Sequence, residues 1–304
     1  MIRNIKFHNF YSFKKEQEIS FLANKKSGYD YFNSKSNTQI TKIAGFVGAN
    51  ASGKTNIMRL FSFIGYFACR SSIENTPSDL QNAYKKFFYN DEPSGFQIEF
   101  ELDDSIYFYE FSLQKTIVID ENLYVQKMIK GSRKVAIYSR KLNEIEILNK
   151  NYFENFPIKF LKNIRSDISL LSFLKSHYNI EIVNKVFNYF NNIKTNMNEA
   201  GQLNNPQNQI VTLELYLEDE KIKKEMEEFI CQFDLGLKGF NIKKEVIGGT
   251  QRISVSGIHQ SKESNNQLAF NYESRGTQSL FFTLAEILYA LKNNSIAIID
   301  EIEL

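Results

Sequence analysis

Apolar and polar residues alternate along the N-terminal part of the chain in a pattern that predicts two strands and a helix. The strands are predicted over residues 2–10 and 39–47, and a Ser- and Asn-rich loop over residues 28–38 separates them. From Lys54 to about Arg70 the apolar residues recur at helical spacing. The second strand runs into a glycine-containing loop directly before this helix, so the predicted order is strand, loop, helix.

The middle of the chain changes from strand-like alternation to helical periodicity. Short alternating runs separated by polar pairs predict an antiparallel meander. These runs are residues 96–102, 105–113, 116–119, 123–129 and 135–139. Successive helices are predicted within residues 157–194, and an amphipathic helix at 219–234 follows a polar linker at 204–208. The apolar face of the amphipathic helix contains Ile222, Met226, Phe229 and Ile230.

The C-terminal part returns to strands. Residues 240–247 and 252–258 predict a hairpin, and residues 268–272 predict a further strand. An apolar helix is predicted at 277–291. A short β-branched run then ends at two carboxylates, Asp300 and Glu301.

Composition and charge narrow the class of protein. The 304 residues are 42% hydrophobic and 24% charged, which is typical of a soluble globular protein, and they predict no membrane partner. A formal net charge of +2 gives no strong overall attraction to nucleic acid or to an anionic membrane. Cys69 and Cys231 are too few for a disulfide framework or a zinc ribbon, so we expect buried thiols and a cytoplasmic location.

The strongest chemical signal is the loop before the first helix, which fits G-x-x-x-x-G-K-[ST]. It reads Gly48, Ala49, Asn50, Ala51, Ser52, Gly53, Lys54 and Thr55, followed by Asn56. In such a loop the backbone N–H groups surround a phosphate, the lysine reaches the outer phosphates and the hydroxyl binds Mg²⁺. The helix that follows directs its positive end at the same anion. The loop therefore predicts a site for ATP and Mg²⁺.

The phosphate loop suggests roles for two further pairs of residues, Asp300 with Glu301 and Ser274 with Gly276. With a phosphate loop present, Asp300 at a strand end is the expected Mg²⁺ partner, and Glu301 can polarise a water molecule against the γ-phosphate. Ser274 and Gly276 lie at the predicted start of the last helix, where a small polar residue and a glycine can bind an anion.

The set of motifs resembles the ABC-type ATPase heads of structural-maintenance-of-chromosomes, RecF-type and overcoming-lysogenization-defect proteins. The resemblance is greatest to bacterial "AAA family" ATPases of phage-defence and abortive-infection loci. It is carried by residues 5–13, 48–56 and 273–278, and by the run Ile298, Ile299, Asp300, Glu301, Ile302 and Glu303. It implies an α/β P-loop NTPase head with a mixed central sheet, an antiparallel β lobe and a helical insert. The corresponding domains are residues 1–150, 151–236 and 237–304.

The resemblance also implies roles for the residues. Lys54 and Thr55 hold phosphate and Mg²⁺ in cis, Asp300 supports Mg²⁺, and Glu301 is the catalytic base for water. Ser274 and Gly276 reach the ATP of a second copy, so two heads sandwich two ATPs as a homodimer. Such a dimer drives or licenses an effector in anti-phage defence; a nuclease-like effector and nucleic acid are partners left open.

The chain departs from the family pattern in three places. The usual Ser-Gly-Gly-Gln signature reads Ser-Arg-Gly-Thr from Ser274, and the Mg²⁺-sensing glutamine has only Gln97 and Gln114 as candidates. The family pattern continues past the catalytic glutamate to a Leu-His-Pro-like segment and a switch histidine, which we expect a truncation to have removed. We expect packing or surface roles for His8 and His177, and His259 at the end of the predicted hairpin has no metal-ligand partner at a useful spacing.

Alternative functions remain open from the sequence. One is a RecF-type DNA-repair ATPase, and another is a nucleotide-binding regulatory subunit or fragment that does not hydrolyse ATP. A basic cluster of Arg133, Lys134, Arg140 and Lys141 is the best nucleic-acid contact in the sequence, although solvation is the favoured reading. Lys221, Lys223 and Lys224 are expected to pair with glutamates four residues later.

Overall fold

The structure is a computed structural model, and the chain forms two compact units, Met1–Asn192 and Ile193–Leu304. The residues that the structure describes are 1–23, 30–73, 80, 83–88, 90–161, 164–198, 201–202, 206–233, 236–247, 250–260 and 265–301. The predicted division at residues 150 and 236 stays a prediction.

The first unit is built on a seven-stranded antiparallel sheet with the order β2-β1-β5-β6-β7-β8-β9, and β3 pairs with β4 separately. The strands are β1 (Ile2–His8), β2 (Gln17–Ser20), β3 (Tyr31–Asn33), β4 (Gln39–Thr41), β5 (Ser94–Leu102), β6 (Ser105–Gln114), β7 (Ile117–Lys127), β8 (Val135–Lys141) and β9 (Glu144–Leu148). The helices are α1 (Lys54–Cys69), α2 (Leu170–His177) and α3 (Glu181–Asn191), with a 3₁₀ turn at Ile158–Leu161.

Aromatic side chains hold α1 against this sheet. Alternate residues of β5 and β6 are buried, which places Phe96 and Phe111 on the same face of the sheet. Phe63 and Phe67, four residues apart on α1, contact them with ring centroids 5.1 Å (Phe63 to Phe96) and 4.2 Å (Phe67 to Phe111) apart. Burying a side chain of this size contributes about 1.5–3 kcal/mol, so the helix that follows the phosphate loop has a rigid support.

The predicted meander is confirmed, with two differences. The runs predicted at 116–119 and 123–129 merge into one strand, β7, which spans Ile117–Lys127. Asp120 and Glu121 do not form a turn, because Asp120 accepts a hydrogen bond from Ser112 on β6 and Glu121 is completely buried. Strand β9 was not predicted.

The second predicted strand is mostly wrong. Only Gln39–Thr41 is a strand, and residues 43–48 have no regular structure. Ile43 and Val47 are 81% and 95% exposed, because no strand among the described residues pairs with this segment to cover them. The apolar run indicated a buried strand, but local pattern cannot supply a pairing partner.

The second unit combines a three-stranded antiparallel sheet with helices. The sheet has the order β13-β14-β15, β10 pairs with β16 in parallel, and β11 pairs with β12. The strands are β10 (Lys194–Thr195), β11 (Met197–Asn198), β12 (Gly201–Gln202), β13 (Leu237–Ile247), β14 (Thr250–Gln260), β15 (Asn265–Ala269) and β16 (Ala297–Ile298). The helices are α4 (Pro206–Glu218), α5 (Glu220–Phe233) and α6 (Arg275–Lys292), with a 3₁₀ turn at Phe270–Tyr272.

The core of the second unit lies between α4, α5, α6 and β13. Its buried members include Tyr216, Met226, Phe240 and Phe281. The predicted hairpin, amphipathic helix and last helix are confirmed, although Phe229 is 41% exposed. Residues 206–208 of the predicted linker belong to α4, and residues 204–205 lie outside the described residues. The α/β class with a large antiparallel sheet is thus confirmed.

Candidate functional site

The phosphate loop is an exposed loop that leads directly into α1. Gly53 occupies the N-cap position with φ 100° and ψ 5°, a left-handed conformation that favours glycine. A Cβ at Gly53 would lie 2.7 Å from the Phe13 ring and 3.1 Å from Ser12 Oγ. Residues 48–52 are exposed, so the loop presents its backbone to solvent.

The chemistry of the loop is that of an anion site. No side chain caps the N-terminus of α1, and its first turn contains no acidic residue, so backbone N–H groups at its positive end are not matched by a local anion. The Lys54 Nζ donates to the carbonyl oxygens of Gly48 (2.8 Å) and Ala49 (3.0 Å). This places an ammonium group against the start of the loop. Peptide N–H groups, a lysine and the Thr55 hydroxyl fit the phosphates and metal ion of Mg-ATP.

A turn at residues 10–13 packs beside the phosphate loop and the start of α1. The Asn56 side-chain amide donates to Ser12 Oγ (2.9 Å), and Arg59 donates to Asn56 Oδ1 (3.1 Å). The Arg59 guanidinium lies over the Tyr11 ring at 5.2 Å. Sequence reasoning missed Ser12 and Arg59; the spacing of three between Asn56 and Arg59 on one helix face was the available signal.

Asp300 lies just beyond the end of β16, in the second unit. Its backbone is held by Asn196, whose side-chain amide donates to the Asp300 carbonyl and accepts from the Asp300 N–H, both at 2.9 Å. Glu301 follows with φ 53° and is exposed. Sequence reasoning did not find Asn196, because the two-residue strand before it carries no recognisable pattern.

The segment 273–278 forms the N-terminus of α6. Ser274 Oγ accepts a hydrogen bond from the Thr277 N–H (3.0 Å), so Ser274 is the N-cap residue. The Glu273 side chain is 3% exposed and hydrogen-bonds His259 Nε2 at 2.8 Å. Gly257 leaves room for this carboxylate, since a Cβ there would lie 2.0 Å from Glu273 Oε1. Ser274 and Gly276 themselves are accessible on the helix end.

The predicted site residues thus fall in two groups. Residues 48–56 lie together in the first unit, whereas Ser274, Gly276, Asp300 and Glu301 belong to the second. No cluster of three or more His, Cys, Asp or Glu side chains suited to a metal ion occurs within the described ranges. Mg²⁺ is commonly held by one or two protein oxygens together with nucleotide phosphates, and the Thr55 hydroxyl and the Asp300 carboxylate each offer an oxygen of that kind.

The candidates for the Mg²⁺-sensing glutamine lie in the antiparallel sheet. Gln97 is exposed on β5, and the Gln114 side chain at the end of β6 donates to the Asp91 carbonyl (3.0 Å). Histidines have packing partners: the His8 ring occupies the space beside Gly95, and His177 stacks on Phe173.

The predicted basic cluster is wrong at one residue, since Arg133, Lys134 and Lys141 are exposed as the solvation reading expects and Arg140 is not. Arg140 is completely buried and donates to the carbonyl oxygens of Leu142, Arg165 and Ile168. Lys134 is paired with Glu110 at 2.6 Å. The basic positions on α5 behave as predicted, and their ion pairs are Lys221–Glu225, Lys223–Glu227 and Lys224–Glu228.

The remaining sequence predictions concern thiols and membranes. Cys69 is buried, and burial raises the pKa of its thiol, whereas Cys231 is only partly buried. Each helix in the described part of the chain is too short or too polar to cross a bilayer.

Comparison with solved structures finds matches at low identity and low TM-score. A structure described as the recombination mediator protein RecF with ATP, in the RecFOR pathway, shares 14% identity at a TM-score of 0.40, with 100% of this chain and 86% of that chain covered. A RecF structure described with ATPrS shares 15% identity at a TM-score of 0.34, with the same coverage. Similarity at this level does not identify a function. A comparison with curated protein sequences finds no match.

A protein-family comparison is more decisive. The model described as "AAA domain, putative AbiEii toxin, Type IV TA system" matches residues 43–304. The match begins just before the phosphate loop and includes Ser274, Asp300 and Glu301. It covers well over half of the chain, and the chain therefore belongs to this family of AAA-type P-loop ATPase domains.

Proposed function

We propose that the chain binds ATP with Mg²⁺ at residues 48–56 and hydrolyses it. The observation that carries this proposal is the exposed loop ahead of α1, with a left-handed Gly53, an N-terminus without a side-chain cap and Lys54 folded against the loop. The free N–H groups and the positive end of the helix are accessible to an anion from solvent, which supports phosphate binding.

Each site residue has a distinct task in this proposal. The loop N–H groups and Lys54 would bind the phosphates, and Thr55 and Asp300 would be ligands of Mg²⁺, which when bound would supply positive charge to the phosphates. Glu301 orients and deprotonates the attacking water as a general base. Glu301 lies beyond the end of β16 and is exposed, which leaves it accessible to such a water.

The proposed cycle includes an ATP-dependent homodimer. Ser274 and Gly276 are accessible at the N-terminus of α6, where a partner's γ-phosphate would meet N–H groups and the helix dipole. We propose further that this cytoplasmic ATPase licenses an effector in anti-phage defence, a role that the match to a toxin–antitoxin AAA domain supports.

The turnover test uses Glu301→Gln. We expect this variant to keep ATP affinity and to slow phosphate release by about 100-fold or more, because water activation is lost while phosphate binding remains. Chelating Mg²⁺ should stop wild-type turnover. Wild-type protein that binds ATP but releases no phosphate would support the regulatory-subunit alternative instead.

The dimer test mixes two defective chains. Ser274→Arg should bind ATP as a monomer but block the sandwich, and Lys54→Ala should lack nucleotide in its own site. A mixed dimer then contains one site with both defects and one with neither, so mixing should partly restore hydrolysis. No recovery, together with normal dimerisation of Ser274→Arg in a Glu301→Gln background, would contradict the trans arrangement.

Adding DNA to the turnover assay distinguishes the proposed function from the RecF-type alternative. Turnover that DNA stimulates with a steep salt dependence would favour the RecF-type alternative. We expect little effect, because Arg140, part of the best basic cluster in the sequence, is buried in the first unit.

A further inference from the structure

The backbone of Asp300 is clamped by a single side chain. The Asn196 amide nitrogen donates to the Asp300 carbonyl, its oxygen accepts from the Asp300 N–H, and both distances are 2.9 Å. The two residues are far apart in sequence, so the clamp joins two separate segments of the second unit. A side-chain amide that uses its donor and its acceptor on one peptide neighbour fixes that residue in position and in orientation.

The clamp extends the parallel pairing of β10 and β16. The register pairs Lys194 with Ala297 and Thr195 with Ile298. Asn196 follows the end of β10 and lies outside the ladder, because the Met197 N–H turns back and donates to Thr195 Oγ1 (3.1 Å). Its side chain replaces the main-chain hydrogen bonds that a longer strand would have made to Asp300.

The clamp lies at a strained point of the backbone. Glu301, the next residue, has φ 53°, a left-handed conformation that costs a non-glycine residue of order 1–3 kcal/mol. Such a conformation persists only when the surroundings hold it. Asn196 supplies two hydrogen bonds to the residue immediately before the strain.

We propose that Asn196 is a positioning residue that fixes the Asp300 backbone and thereby aims the carboxylates of Asp300 and Glu301. The inference rests on the proposed function, in which Asp300 supports Mg²⁺ and Glu301 activates water. Asn196 itself touches neither nucleotide nor water in this role. It acts through the peptide of Asp300.

The test compares Asn196→Ala and Asn196→Asp with Asn191→Ala, a change at an exposed asparagine on α3. Alanine removes both hydrogen bonds. Aspartate keeps an acceptor for the Asp300 N–H but places an oxygen against its carbonyl. We expect both variants to raise the Mg²⁺ concentration for half-maximal turnover roughly 10-fold and to lower kcat roughly 10-fold or more, as loss of groups that orient metal ligands does.

Two readouts separate positioning from folding. Affinity for an ATP analogue in EDTA should stay at the wild-type value, because the phosphate loop is unchanged. Binding of that analogue as a function of Mg²⁺, which requires no turnover, should show the same shift in Mg²⁺ requirement. A loss of active protein alone would lower kcat without moving the Mg²⁺ midpoint, and an unchanged midpoint in folded Asn196→Ala overturns the inference.

A different result is expected if the proposed function itself is wrong. In that case the wild-type chain itself shows no Mg²⁺-dependent nucleotide binding or turnover. If wild type shows both and Asn196→Ala matches Asn191→Ala in every readout, only the role of Asn196 is wrong.

Discussion

The first unit contains two groups of polar residues at helix starts, one buried around Glu121 and one exposed in the phosphate loop. The carboxylate of Glu121 is completely buried and accepts hydrogen bonds from the hydroxyls of Tyr109 and Tyr138 and from the N–H groups of Leu170 and Leu171 at the start of α2. Arg140 lies 3.7 Å away. Burial raises the pKa of Glu121, and Arg140 opposes that shift.

The phosphate loop shows the reverse arrangement. Its residues 48–52 are exposed, its helix begins without a capping side chain, and the Lys54 ammonium is near loop carbonyls with no carboxylate within ion-pair distance among the described residues. Both places involve the start of a helix, but at α2 the chain supplies the anion, and at α1 it leaves the N–H groups to an external one. The comparison indicates that the charges of Glu121 and Arg140 stabilise the fold, whereas the charge of Lys54 and the start of α1 are available to a ligand.

The largest effect is expected at the buried cluster, with Arg140→Met. Removing the guanidinium leaves Glu121 without its countercharge, which typically costs about 3–5 kcal/mol of unfolding free energy. Urea denaturation measures the loss. The matched control is Arg133→Met, an exposed member of the same basic stretch, which should change stability by less than about 0.5 kcal/mol. Equal effects from the two changes would break the comparison.

A smaller effect is expected from Gly53→Ala in the phosphate loop. The left-handed backbone and the Phe13 ring 2.7 Å from the new Cβ should cost roughly 1–3 kcal/mol and weaken nucleotide binding. Gly65→Ala on α1 is the control, because nothing lies within 4 Å of its Cβ position and alanine favours a helix by about 0.5–1 kcal/mol. Thermal unfolding with and without ATP should therefore move the two variants in opposite directions. A stabilised Gly53→Ala contradicts the geometry of the loop.

The smallest stability effect is expected at Ser274, which caps α6 and which we propose also meets a partner's phosphate. Ser274→Ala should cost about 1 kcal/mol through loss of the N-cap, whereas exposed Ser279→Ala should be near neutral. Ser274→Asp preserves the cap but adds a negative charge. If Ser274 meets a partner's phosphate, Ser274→Asp stays stable and fails to dimerise on ATP; normal dimerisation would assign Ser274 to folding alone.

The sequence predicted those parts of the fold whose signals are local. The helix from Lys54, the hairpin of β13 and β14 and the helix at 277–291 follow from periodicity and turn residues, and the structure confirms them. The strand prediction is wrong at residues 43–47, because an apolar run forms a strand only when another strand pairs with it. Ile43 and Val47 remain exposed.

Long-range contacts explain the other differences. Glu121 was read as part of a turn because acidic pairs commonly interrupt strands, yet tyrosines and the start of α2 accommodate it inside β7. For the same reason Arg140 was grouped with surface residues. The role of Asn196 could not be predicted, because its hydrogen bonds join it to Asp300, which is distant in the sequence. The motif of the phosphate loop is recognisable from the sequence alone, whereas the hydrogen bonds between Asn196 and Asp300 are not.

The central claim is tested most directly by measuring ATP binding to three chains by titration calorimetry: wild type, Lys54→Ala and Lys42→Ala. Lys42 is an exposed lysine near the loop in sequence and serves as the matched loss of one charge. We predict that wild type and Lys42→Ala bind Mg-ATP alike, while Lys54→Ala loses at least roughly 100-fold in affinity with an unchanged unfolding midpoint. Equal affinity of the Lys54→Ala and Lys42→Ala chains, or no binding by wild type, would contradict the assignment of residues 48–56 as the nucleotide site.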